Sequence, residues 1–346
     1  MSEFRQNIAT GEWVIIAPER SQRPDDFDRT KLGGNTAAQE SHSATCSFCK
    51  GNEHMCAPAI YEIVEGKDWM LRVVPNIYAA VSTSVTPTRV HDGIHLKAGG
   101  YGIADVLVEC AQHNGDITTM SLRQVEEMIK AYRFRYNEIS NDPAINIINI
   151  FRNHGASAGA SLRHPHSQII GCLVAPPHVT DQIVYAKRAY NTWGTCIYCT
   201  IIEDELNSKT RIVQETEHFI AFCPYASKSP YEIRIFPKRH SSHFGMINAE
   251  EEGDLAYILK QVLTRLKVLL DDPDYNYYIR SVTTADGMVQ YYHWYLAILP
   301  RISHYAGFEL GSGIFINTSS PETCAEELRA VKIPDLPPSI TRRIGL

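Results

Sequence analysis

Two C-x-x-C pairs, Cys46/Cys49 in TCSFCKGNE and Cys196/Cys199 in TCIYCTIIEDE, stand 150 residues apart in a chain of 346. That spacing constrains the fold more than any other feature, because it marks an internal duplication. The rest of the chain repeats with it. NDPAINIINIFRN (141–153) resembles DDPDYNYYIRSVT (271–283), and each follows a long helical pattern. Ser121 with Gln124 opens the first helix and Asn248 with Glu251 the second, both spaced as capping boxes. MLRVVPNIYAAV (70–81) parallels RIVQETEHFIAFC (211–223). Strand-like runs end at His113 and His240, and further strands begin at His164 and His293. Strands outnumber helices and are joined by short links. The expectation is an α+β chain of two tandem halves, 1–182 and 183–346. Each half is a mainly antiparallel sheet with a long helix, and a pseudo-twofold relates them. The polar stretch 24–45 reads as a loop.

The duplication also groups ligands. Cys46, Cys49, His113 and His164 form one Cys2His2 set, and Cys196, Cys199, His240 and His293 the other, in the same order. Two thiolates and two imidazoles suit tetrahedral zinc, and four protein ligands leave no open position for catalysis. His243, three residues from His240, is the rival ligand of the second set. His54, His91, His95, His178, His218 and His304 lack repeat support and read as solvated or structural. Nine cysteines without a secretory h-region in MSEFRQNIATGEW make a disulfide scaffold improbable and a cytoplasmic location the expectation. With 33 basic against 39 acidic residues no broad basic footprint is expected, so nucleic acid is not the expected partner. No apolar run approaches the roughly 18 residues of a membrane span.

The chemistry concentrates in FRNHGASAGASLRHPHSQ (151–168). On an extended strand His164, His166 and Gln168 share a face. With His164 held by metal and Pro165 stiffening the backbone, His166 is a rigidly presented imidazole. A neutral ring whose other nitrogen donates to a carbonyl suits nucleophilic attack on phosphorus. Gln168 can donate to a phosphoryl oxygen where charge develops. The small-residue loop allows backbone N–H groups, Gly159, and Ser157 or Ser161 to approach phosphates. Arg20 and Arg23 in APERSQRP can clamp a diphosphate. The duplicate of His166 is Tyr295, so chemistry is expected once per chain, in the first half.

TGEWVIIAPERSQRP, CSFC, RVVPNIYAAV, FRNHGASAGAS and above all HPHSQ resemble the galactose-1-phosphate uridylyltransferase branch of the histidine-triad superfamily, over almost the whole chain. The resemblance implies two tandem histidine-triad-like repeats and a ping-pong nucleotidyl transfer. A nucleotide sugar (UDP-glucose or ADP-glucose) gives its nucleotidyl group to His166 and releases the sugar 1-phosphate. A hexose 1-phosphate or phosphate then takes it. It further implies that Ser161 and Gln168 contact the transferred phosphoryl group, that Asn76 and Asn153 contact the nucleotide, that Arg20 and Arg23 lie near the phosphates, and that the chain is a homodimer. Glu309, in AGFELGSGIFIN, carries over from the segment that reads the sugar. Ser167 departs from the glycine or cysteine many relatives have there. Cys196/Cys199 depart from the glutamate-containing second metal site of some relatives, where iron is an alternative to zinc. FRNHGASAGAS, the second C-x-x-C and GFELGSGIFIN resemble the ADP-glucose phosphorylase-like subgroup more closely. Galactose-1-phosphate uridylyltransferase is the leading expectation, and ADP-glucose phosphorylase the alternative. Two readings of other classes are a zinc-stabilised nucleotide-binding protein without transferase activity and a thiol–disulfide oxidoreductase. Metal analysis of the purified protein should give about two zinc per chain, with chelator lowering thermal stability. A metal-free chain with reactive thiols would favour the redox reading.

Overall fold

The computed structural model describes residues 1–22, 40–303 and 305–333. Arg23, His304 and most of the 24–45 loop lie outside the described residues. The elements run β1 (Glu3–Gln6), β2 (Trp13–Ile16), β3 (Tyr61–Glu65), β4 (Asp68–Pro75), β5 (Arg89–Asp92), β6 (His95–Ala98) and β7 (Gly102–Val108). Then come α1 (Leu122–Ser140), β8 (Ile147–His154), β9 (His166–Cys172), α2 (Pro177–Trp193), α3 (Ile197–Ser208), β10 (Ile212–Glu215), β11 (Phe219–Phe222) and β12 (Ile233–Pro237). The chain continues with α4 (Ala249–Leu270), β13 (Tyr275–Arg280), β14 (Tyr295–Pro300), α5 (Gly307–Ser312), β15 (Phe315–Asn317) and α6 (Pro321–Ala330).

Ten strands join in one antiparallel sheet, in the order β10-β11-β12-β14-β13-β8-β9-β7-β4-β3. Read outward from its centre, each side has the same succession, so the sheet carries the duplication in its order. The two middle strands are duplicates of one another. Phe151 pairs with Gln168 and Tyr278 with Ala297, equivalent positions in the two halves, and Phe151 and Tyr278 also pair with each other. The pseudo-twofold axis therefore passes through this pair. An antiparallel ladder is the arrangement in which two identical strands are related by a local twofold. β1 and β2 pair outside this sheet with β15 from the far end of the chain, β2 and β15 in parallel.

Alternation along the strands sorts side chains onto two faces. Val73, Leu107, Ile150 and Ile169 face α1 and α4, where the main core forms. α1 is amphipathic, whereas α4 is buried over most of its circumference, as a helix lying between a sheet and other helices must be. The opposite face of the second half is covered by α2 and α3, which bury Val179, Ile183, Ala186, Ile197 and Ile202 against Phe222, Phe236 and Ala297. Asn248 and Glu251 form the expected reciprocal capping box. Ser121 caps α1 by accepting from Gln124 N, but the Gln124 amide donates to the Glu109 carbonyl instead of closing the box. That diversion ties the helix start to the strand end beside the candidate site. The strands expected to begin at His164 and His293 begin two residues later, at His166 and Tyr295. The histidines themselves turn out of the ladder, into the clusters described next.

Candidate active site and metal centres

His164 is fully buried and its ring is fixed at both nitrogens. Nε2 donates to the Cys110 carbonyl at 2.8 Å, and Nδ1 lies 3.6 Å from Cys49 Sγ. His113 Nδ1 approaches the same sulfur at 3.3 Å, and Cys46 completes a set whose ligand atoms all lie within 4.8 Å of one another. The second set repeats this construction. Cys199 Sγ is 3.2 Å from His240 Nδ1 and 3.5 Å from His293 Nδ1. The outer nitrogens donate to the carbonyls of Val289 at 3.0 Å and Pro237 at 2.9 Å. Zinc bonded at 2.3 Å to sulfur and about 2.05 Å to nitrogen holds its S and N ligands about 3.5 Å apart in a tetrahedron, so these separations fit. Carbonyl acceptors behind the histidines fix the tautomer that presents Nδ1. Burial pushes the His164 ring down to about 4, which keeps it neutral. Hydrogen bonds from Cys199, His240 and His293 favour the Cys196 thiolate. The chain thus has two candidate Cys/His metal sites. His243 is not in the second set; it stacks on Tyr136.

The carbonyl of His164 accepts from His166 Nδ1 at 2.8 Å, leaving Nε2 as the free nitrogen. His166 is 8% exposed, and burial lowers its proton affinity, favouring the neutral ring. Two cavities meet at His166, Ser161 and Leu162. One, of about 290 Å³, is walled by Phe48, Met55, Asn76, Ile77, Tyr78, Val106 and Gln168. The other, of about 430 Å³, is polar and includes Asn153, Arg163, Asp116, Arg152, His154, Lys267 and Asp272. Asn76 Oδ1 is occupied by the Tyr78 N–H of its own turn, and Asn153 Oδ1 accepts from Asn276, so each presents its amide NH2.

The structure thus gathers His166, Gln168, Asn76, Asn153 and Ser161. It does not bring Arg20, Gly159 or Glu309 to His166 within the chain. Arg20 is exposed in a 3-10 turn over Pro18–Gln22 and lines neither cavity. Gly159 lines neither; at φ +85° it turns the loop, and its N–H goes to the Ala156 carbonyl. Glu309 accepts the Ala306 N–H as the cap of α5. Ser157, one of two serines expected to reach phosphate, donates its hydroxyl and N–H to Asp274 instead. That carboxylate also explains Gly155, where a Cβ would lie 1.6 Å from Asp274 Oδ1.

Sequence reasoning missed what lies behind β9. Ser167 points opposite to His166, toward α1, and donates to Glu109 at 2.8 Å while accepting from the Tyr132 hydroxyl at 2.5 Å. Tyr132 has spent its proton, so Tyr277 donates to it across 2.6 Å. Arg152 donates from Nε to both Glu109 oxygens at 3.0 Å and from Nη1 to Tyr275. Every member of this network is buried. His154 then lies between Asp116 at 3.6 Å and Asp272 at 3.5 Å. Burial alone would raise the Asp116 carboxyl, but Arg152 and His154 hold it down at about 2. The only sequence signal for the network was Ser167 in its unusual slot. Lys267 and Asp272 arrive from the duplicated half with no signal at all.

Residues 1–176 match the family described as Galactose-1-phosphate uridyl transferase, N-terminal domain, and residues 179–301 match Galactose-1-phosphate uridyl transferase, C-terminal domain. ADP-glucose phosphorylase of Arabidopsis thaliana is 35% identical over 96% of this chain and 93% of its own length. Galactose-1-phosphate uridylyltransferase of Thermotoga maritima is 28% identical over 96% and 99%. Among solved structures, the Arabidopsis thaliana ADP-glucose phosphorylase with bound ADP-glucose superposes with a TM-score of 0.82 at 33% identity, covering 96% of this chain and all of that one.

Replacing Ser167 with alanine should destabilise the chain by about 1–3 kcal/mol in denaturant titration, because Glu109 loses a buried donor and Tyr132 an acceptor. The low Asp116 value gives stability that is complete above the ordinary carboxylate value of 3.8 and lost as pH falls toward about 2. Asp116→Asn should therefore be less stable than the parent at neutral pH by roughly 2 kcal/mol, the gap closing in acid unfolding below about pH 4.

Proposed function

The chain belongs to the galactose-1-phosphate uridyl transferase family and is a nucleotidyltransferase, and on that premise we propose that the transfer runs through His166. The observation that carries this is the Nδ1 donation to the His164 carbonyl, which leaves Nε2 as the nucleophilic nitrogen where the two cavities meet. In the first half-reaction the Nε2 lone pair attacks the α-phosphorus of a nucleotide sugar. An N–P bond forms, and the bond to the bridging oxygen breaks, releasing the sugar 1-phosphate. In the second, an acceptor phosphate oxygen attacks the same phosphorus and the N–P bond breaks. The positive charge on the substituted ring is stabilised through Nδ1–H by the carbonyl that orients it. Gln168 and Ser161 donate to the phosphoryl oxygens. The Phe48–Asn76–Val106 cavity takes the base and the polar cavity takes the sugar phosphate and then the acceptor.

ADP-glucose with phosphate as acceptor is the donor reading we favour, on the 35% identity and the 0.82 TM-score of the Arabidopsis protein. UDP-glucose with a hexose 1-phosphate is the second reading, supported by the likeness to the Thermotoga maritima enzyme across nearly all of both chains. Zinc in both Cys2His2 sets, with iron an alternative in the second, would hold the strand that presents His166 and take no part in the transfer. None of the nine cysteines is paired in a disulfide, which suits the cytoplasm, and no helix among the described residues is long and apolar enough to cross a membrane. The family resemblance supports a homodimer. Its members' arginine and glutamate positions, Arg20, Arg23 and Glu309, stay assigned to substrate as part of this proposal.

Incubation with α-labelled ADP-glucose and UDP-glucose in turn, without acceptor, should leave acid-labile label on the protein from the true donor. His166→Ala should reduce labelling and turnover on the order of 10⁴-fold or more. Label that survives that substitution, or arises from neither donor, would sink the proposal. Phosphate against galactose 1-phosphate as acceptor separates the two donor readings.

A further inference from the structure

Arg163 stands one residue before the cluster histidine His164 and three before His166. It lines the polar cavity together with His166 and Ser161. The backbone that carries it is fixed. His164 is fully buried with its ring held at both nitrogens, and the Pro165 carbonyl accepts from the Glu109 N–H at 3.1 Å. The side chain is uncommitted. It is exposed, and among the described residues its guanidinium has no hydrogen bond or ion pair, although Asp116 and Asp272 line the same cavity.

The other fixed cations of the cavity are engaged. Arg152 pairs with Glu109 at 3.0 Å and lies 3.7 Å from Asp116. Lys267 lies 3.4 Å from Asp272 and 4.0 Å from Asp116. Three carboxylates thus face two cations, an excess that repels a phosphate dianion. Arg163 is the cation left over to admit one, and its planar fork matches two oxygens of a single phosphate. The duplicated half supplies a control. Counted from the cluster histidines His164 and His293, Tyr292 occupies the place of Arg163 and Tyr295 that of His166. Tyr292 is fully buried, edge-on to Tyr198. The half without the nucleophile is also the half without the arginine.

We infer that Arg163 is the acceptor-binding residue: its guanidinium holds two oxygens of the incoming phosphate, inorganic or on a sugar, while a third oxygen attacks. The inference rests on transfer through His166 and on the polar cavity's taking the acceptor. The attacking oxygen of a phosphate dianion is already unprotonated, so no base is required. A P–O bond forms at the nucleotidyl phosphorus, the N–P bond breaks, and its electron pair returns to Nε2. In the first half-reaction the same fork receives the charge that develops on the sugar phosphate as it leaves.

The test is a single-turnover release on the full, metal-replete chain. His166 is labelled from α-labelled ADP-glucose or UDP-glucose, free nucleotide is removed, and loss of label is followed against inorganic phosphate and, separately, galactose 1-phosphate. The arm that discharges the parent chain identifies the acceptor. Half-maximal release should need about tenfold or more of that acceptor in Arg163→Gln, more again in Arg163→Glu, and less in Arg163→Lys. Release by acceptor relative to release by water alone should fall in the same order, whereas a loosened site would change both together. If Arg163→Gln labels too slowly to be followed, Arg163→Lys, which keeps the charge without the fork, carries the comparison with a severalfold rise. Parental acceptor dependence in these variants, or a shift indifferent to the charge placed at 163, overturns the assignment and leaves transfer through His166 standing. Failure of both donors to label the parent chain overturns the transfer reading, and the assignment with it.

Discussion

The pairing of β8 with β13 is the constraint on which the rest of the molecule depends. These strands are duplicates, and their antiparallel ladder places the pseudo-twofold axis through Phe151 and Tyr278. It makes two five-stranded units into a single ten-stranded sheet and stacks α1 and α4 side by side on one face of it. It also carries the second half to the first half's site. Tyr275 and Tyr277 reach Arg152 and Tyr132 from β13, Asn276 reaches Asn153, and Lys267 and Asp272 reach the polar cavity from the end of α4. The site lies in one repeat but is completed by the other.

Around that axis the strand bearing His166 is held from three directions. Its N-terminal end is fixed by His164, whose ring is committed to the Cys110 carbonyl and the first Cys/His cluster. Its far face is fixed by Ser167, locked between Glu109 and Tyr132. Its flank is fixed by β8, whose Arg152 neutralises Glu109. A buried carboxylate with an arginine and a hydroxyl donor is stable only as a complete set, since removal of any one member leaves a buried charge or lone pair uncompensated. Rigidity of that kind is what a nucleophile needs to meet phosphorus at one angle.

The duplicated half shows what happens when one part of such a set changes. It keeps the Cys/His cluster with the same nitrogens facing inward and, behind His293 as behind His164, a backbone carbonyl acceptor. Tyr295 then takes the place of His166, and Leu296 and Ala297 those of Ser167 and Gln168, so neither the proposed nucleophile nor the polar lock survives. Fold and cluster persist because they rest on the sheet and four Cys/His side chains, whereas the proposed transfer rests on side chains of one strand.

The sequence by itself determined the duplication, both ligand sets and the strand with His166 and Gln168, because each is written in short, ordered spacings of chemically distinctive residues. The family resemblance also named Asn76, Asn153 and Ser161, which the structure brings to the cavities at His166. The sequence read Ser157 and Gly159 as facing phosphate, whereas their N–H groups bond Asp274 and the Ala156 carbonyl, because a small-residue loop reads alike in either case. Only the tertiary structure decided that β8 pairs with β13, that Glu109, Arg152 and Tyr132 form the buried support, and that Lys267 and Asp272 line the cavity. The physical reason is that strand partners and buried ion pairs are chosen by packing between segments more than a hundred residues apart. Alternating apolar residues fix which face of a strand is buried but not which strand lies beside it.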